Sequence, residues 1–239
     1  MMRLRGKIAL ALAGILMLAA LSGCSVRKPS TGRAPINPRG DELYDQEYTA
    51  EAVRTPLTIM SKTAHESGVT VNYPFICDDN MALLNRAILE AFYDFAADSE
   101  SPGAIVEYTT EFNRLGLLSF TLYCVTGEGR TVSFDTASFD SDTGRRVYLS
   151  DCFGSGSADH VQKLDEIVCR SIEANGYTLI AQGPHIDDST LFLFTFGGIY
   201  IMFREYELLT YDAGAPRIKI TLGALSGSIA QDGLLNRLR

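Results

Sequence analysis

Along residues 117–125, "LLSFTLYCV", Leu118, Phe120, Leu122 and Cys124 alternate with Ser119, Thr121 and Tyr123. A period of two puts the apolar set on one face of a half-buried antiparallel strand. The flanking stretches "AIVEYTTEFNR" and "RTVSFDTASFD" are strand-like too, and "PLTIMSKTAH" and "GVTVNYPFI", separated by "ESG", predict a strand–turn–strand earlier in the chain. Between these strand groups the period changes. In "DDNMALLNRAILEAFYDFAADSE", Leu84, Ile88, Phe92 and Phe95 fall at helical spacing, with Asp79 or Asn80 to cap the start and "SPG" at 101–103 to end it. A second helix is predicted over "SADHVQKLDEIVCRSIEANG". Val161, Leu164, Val168 and Ile172 line one side of it, Ser157 or Asp159 caps it, and Gly176 suits a left-handed terminus.

The C-terminal third returns to strands. "TLFLFTFGGIYIMFREYELL" reads as a strand, a Gly-Gly turn and a second strand, with Ile199, Ile201 and Phe203 on one face and Tyr200, Met202, Arg204 and Tyr206 on the other. A turn through "DAGAP" leads into "RIKITL", where Ile218, Ile220 and Leu222 alternate with Lys219 and Thr221. Two helices among runs of strands, without strict βαβ alternation, predict an α+β fold: an antiparallel sheet with two helices packed on one face. No internal repeat occurs.

The N-terminus follows neither period. "MMRLRGK" is basic and Ile8–Ala20 is almost unbroken apolar sequence, the form of a bacterial export signal and too short for a comfortable membrane span. It ends in "LSGCS", which resembles the lipobox of bacterial lipoproteins and implies that Cys24 carries the lipid, palmitate included, as the first mature residue. Burial of acyl chains, roughly 0.8 kcal/mol per methylene, then holds the protein on the extracytoplasmic face of the cell membrane. The predicted organisation is a signal peptide over 1–23, lipidated Cys24 with a Pro- and Gly-rich tether over 24–48, an α+β domain over 49–225, and a ragged or weakly helical tail over 226–239.

Charge sharpens the picture. The chain has 21 basic and 29 acidic residues; loss of the signal removes Arg3, Arg5 and Lys7 and no acid, taking the formal charge from −8 to −11. Such a surface disfavours nucleic acid and attracts cationic partners, although solubility alone explains it too. Cys77, Cys124, Cys152 and Cys169 sit in apolar contexts without zinc spacing, and an exported domain permits zero, one or two disulfides among them. Only His65, His160 and His185 are present. His185 with Asp187 and Asp188 lacks the further ligands a metal needs, and "DSDTG" with Asp151 has part of a calcium-loop spacing but reads better as a hairpin turn with Gly144 at positive φ. No hydrolase, nucleotide or zinc-protease motif occurs, so neither a cofactor nor a metal is expected.

Residues 203–214, "FREYELLTYDAG", resemble the end of a domain of unknown function found at the extracellular C-terminus of RsiV-type anti-sigma factors and in PdaC-type peptidoglycan deacetylases. Phe203, Tyr206, Glu207, Tyr211, Ala213 and Gly214 match its pattern; "VTVNYPFI" and "FDSDTGRRVYLSDCF" resemble two earlier family segments in the expected order. The departures are "VTGEGRTVSFD", without the family's histidine-bearing loop, and Cys152 in place of a leucine. The resemblance implies a non-catalytic binding or sensing module for a cell-wall glycan such as peptidoglycan, or for a cationic protein such as lysozyme. Arg204, Tyr206, Glu207 and Tyr211 are its candidate ligand-binding residues. A hydrolase or deacetylase-like enzyme with an unrecognised site is the alternative, and a purely structural envelope lipoprotein the third reading.

Overall fold

The computed structural model of the chain describes residues 55–66, 68–98, 103–157, 159–180, 183–210 and 215–239. The export signal, Cys24, the tether and Tyr211 lie outside the described residues. Strands β1 (Ile59–Glu66) and β2 (Val69–Ile76) form the expected hairpin, and helix α1 (Ala82–Ala97) follows. Strands β3 (Ile105–Arg114), β4 (Leu117–Val125), β5 (Thr131–Asp140) and β6 (Arg145–Val147) complete a six-stranded sheet in sequence order. A short helix, α2 (Leu149–Phe153), and a longer one, α3 (His160–Ala174), lead to a separate sheet of β7 (Leu191–Thr195), β8 (Gly198–Met202) and β9 (Arg217–Thr221).

Two expectations are corrected here. The large sheet is mixed rather than antiparallel: β2 and β3 pair in parallel through Thr70 with Ile105 and Val71 with Val106. The cause is α1, a crossover that carries the chain from the end of β2 back to the start of β3, so this one βαβ unit must pair in parallel. Nor do the two main helices share a face. α1 packs on the large sheet, where Leu84, Ile88 and Phe92 bury against Val71, Val106, Phe120, Leu122 and Phe139. α3 instead covers the small sheet, with Leu164, Val168 and Ile172 against Ile199, Ile201, Ile218 and Ile220.

Local chemistry explains the element ends. No side chain caps the α1 N-terminus, despite Asp79 and Asn80; the anchor is Asn85, which accepts the Ile76 N–H at 2.7 Å and donates to the Ile76 carbonyl at 2.9 Å. α3 ends as expected: Gly176 takes φ 67°, its N–H donates to the Glu173 carbonyl and the Tyr177 N–H to that of Ile172. The 226–239 segment, expected as a ragged or weakly helical tail, forms a 3-10 helix over Leu234–Leu238 whose Leu235 and Leu238 are fully buried in the second core.

The far face of β4 also departs from the half-buried expectation. Ser119 and Thr121 are buried, and β7 runs over them. As an edge strand, β7 carries N–H groups that its own sheet leaves unpaired; those of Phe192 and Phe194 donate to Thr136 Oγ1 at 3.2 Å and Ser119 Oγ at 2.9 Å. Hydroxyls on one sheet thereby satisfy the edge of the other. Three arginine–carboxylate pairs reinforce that seam: Arg237 with Asp140 (2.8 Å), Arg217 with Glu111 (2.9 Å) and Arg204 with Asp135 (3.1 Å). Glu111 lies where the β3–β4 register shifts, and such a bulge re-aims a side chain.

Candidate functional site

The Gly-Gly turn and the apolar face of Ile199, Ile201 and Phe203 form as the pattern predicts, but β8 stops at Met202. Arg204–Glu207 is a tight turn. The Glu207 N–H donates to the Arg204 carbonyl at 3.2 Å, while the Glu207 carboxylate accepts the Arg204 N–H at 2.7 Å. Leu208 and Leu209 are buried beyond it, tied to the opposing segment by the Ile180 N–H on the Leu208 carbonyl and by a Leu179–Leu209 bridge. The turn is thus fixed at both ends. At its apex Tyr206 adopts φ 63° and keeps 55% of its surface exposed. A bulky side chain in the left-handed region is strained, and persists only where its surroundings impose it.

The predicted site residues therefore separate into different jobs. Arg204 and Glu207 build the turn, through Asp135 and the Arg204 N–H respectively, and Tyr206 is the residue presented. The other candidate chemistry disperses. His65 lies near Thr70, His160 stacks on Phe153 at 4.8 Å, and His185 faces Asp187 at 3.4 Å. Asp188 turns away from that pair to accept the Ser150 N–H at 2.9 Å, so it belongs to the first turn of α2. Asp151 accepts the Tyr148 N–H in the same turn. "DSDTG" is a hairpin with Gly144 at φ 68°, as expected, and its first aspartate is structural. Burial acts to raise the Asp140 carboxyl, but hydrogen bonds from Arg237, Asp142 and Thr143 outweigh it and hold the group below the usual carboxylate range.

The four described cysteines are unpaired thiols, of which Cys124 and Cys152 are buried. Burial, reinforced by Asp151 and Asp188, pushes the Cys152 thiol well above its ordinary value, and burial with Asp165 and Glu173 pushes up Cys169. Nucleophilic cysteines need the reverse shift. No cluster of three or more metal-ligating side chains occurs among the described residues, and no described helix is long and apolar enough to cross a membrane.

One groove is not marked by the pattern of the sequence. A groove of about 550 Å³ runs between α1 and the β5–β6 hairpin, lined by Leu83, Arg86, Glu90 and Asp94 on the helix and by Arg145, Arg146 and Tyr148 opposite. Its signals were an apolar Leu83 off the buried face of α1 and the "RRVY" run. Neither stood out, because helix and hairpin are some sixty positions apart.

No protein-family model matches the chain, and no curated protein matches it. Its fold does match solved structures. A DUF3298 family protein from Pseudomonas aeruginosa PAO1 aligns with a TM-score of 0.52 at 16% identity, over 74% of this chain and 96% of that one. A DUF3298 family member from Bacteroides fragilis NCTC 9343 aligns with a TM-score of 0.49 at 14% identity, over 79% of this chain and 98% of that one. The first likeness agrees with the sequence resemblance to a domain of unknown function, and at such identity what it shows is a shared fold: that of a DUF3298 family structure.

Proposed function

We propose that this chain is a lipid-anchored, non-catalytic module of the bacterial cell envelope that binds a glycan or a cationic protein such as lysozyme through the turn bearing Tyr206. The observation that carries the reading is Tyr206 itself, more than half exposed in a strained backbone conformation that Glu207 and the buried Leu208 and Leu209 impose. An exposed aromatic ring on a turn fixed at both ends supplies contact area against a sugar face or a protein. The lipobox-like Cys24 and the formal charge of −11 after signal removal support the membrane anchor and a cationic partner respectively.

The test is binding of the full chain, in detergent, to lysozyme and to peptidoglycan fragments at physiological salt, beside an unrelated cationic protein. Saturable binding to one ligand that disappears in Tyr206→Ala, with thermal stability retained, is the expected result. Binding no stronger than to the cationic control overturns it.

A further inference from the structure

The groove between α1 and the β5–β6 hairpin shares no residue with the Tyr206 turn and plays no part in the reading above. Its composition differs from the rest of an acidic chain. Three arginines line it, and two of the few large exposed apolar side chains, Leu83 (69% exposed) and Tyr148 (48%), stand on its walls. Arg146 lies across from Phe139, which packs toward α1, so the arginine shares the α1 side of the sheet; its guanidinium sits 5.9 Å from the Tyr148 ring. Arg145, across from Asp140, belongs to the opposite face; Arg146 has no carboxylate partner among the described residues, whereas Arg86 pairs with Glu90 at 2.8 Å. Gly144 sets the spacing of the walls: a Cβ there would stand 2.8 Å from Leu83 Cβ.

We propose that this groove binds a saccharide bearing a carboxylate, with Arg146 on the acid, Tyr148 and Leu83 against the sugar ring, and Glu90 and Asp94 on its hydroxyls. The size falls in the range of small-ligand sites. Guanidinium forks match a carboxylate, an aromatic face covers a pyranose, and carboxylates accept from hydroxyls. The pairing of arginines with acids in one groove favours a ligand that both donates and accepts hydrogen bonds over a purely anionic peptide.

The experiment is titration of the full chain, in detergent, with N-acetylmuramic acid and glucuronic acid, each against its counterpart without the acid group, N-acetylglucosamine and glucose, and against triglutamate. Saturable binding of one or both acid sugars is expected. Arg146→Gln and Tyr148→Ala should each weaken it by about tenfold, with thermal midpoint unchanged. Tyr206→Ala should leave it intact, which separates this site from the turn. Equal binding of the neutral sugars, tighter binding of triglutamate, no saturable binding of either acid sugar, or full affinity in both groove variants overturns the proposal.

Discussion

The two cores of this protein are closed by similar means, but the seam between them adds contacts of another kind. Under α1, Phe92, Tyr108 and Phe120 meet edge to face, with centroids 5.8 to 6.5 Å apart, inside a wholly apolar cluster. Under α3, aliphatic side chains and phenylalanines from the small sheet, with the C-terminal 3-10 helix, do the same. Where the sheets meet, apolar contacts such as Phe112 on Phe194 (6.3 Å) and Phe134 with Leu191 and Leu193 are joined by serine and threonine hydroxyls and arginine–carboxylate pairs. Apolar burial is non-directional and makes each half compact; hydrogen bonds with defined partners set how one half lies on the other. The difference predicts that core truncations unfold a half, whereas seam substitutions cost less and loosen the junction.

The largest effect should come from Phe120→Ala, which removes the centre of the aromatic cluster and should destabilise by about 3–5 kcal/mol in chemical denaturation. Arg237→Leu comes next. It leaves Asp140, 6% exposed at its side chain, without its bidentate partner and should cost about 1.5–3 kcal/mol. The same pair sets a pH dependence. Because the folded-state pKa of Asp140 is depressed, its contribution is fully present above the unfolded-state value of about 3.9 and is lost as pH falls through the lower folded value. The thermal midpoint of the native chain should therefore fall more steeply with acidification below about pH 4 than that of Arg237→Leu. Parallel acid profiles would remove Asp140 from the seam's energetics.

Smaller again is Ser119→Ala, which leaves the buried Phe194 N–H without its acceptor for about 1–2 kcal/mol, read as faster hydrogen exchange at β7 than at β8. The smallest is Glu207→Ala. The lost bond to the Arg204 N–H is solvent-exposed, so about 0.5–1 kcal/mol is expected, together with weaker ligand binding through a loosened Tyr206. If that variant binds as well as the native chain, the turn's rigidity is irrelevant to recognition.

The strands, both main helices, the Gly-Gly hairpin, the Gly144 turn and the Gly176 terminus were all legible in the sequence, because each depends on residues within a few positions of one another. The candidate site was half legible. "REYE" announced itself by composition, yet only the turn geometry assigns Glu207 and Arg204 to holding the backbone and Tyr206 to facing outward. What the tertiary structure alone decided concerns partners far apart in the chain. The parallel pairing of β2 with β3 depends on a crossover; the burial of Ser119 and Thr136 depends on β7, more than fifty positions away; Leu235 and Leu238 enter a core begun at Phe112. A periodic pattern says that a face is apolar or polar, but not what comes to lie against it. Ser119 reads as a solvent position and becomes a hydrogen-bond acceptor inside the protein because a second sheet needs one there.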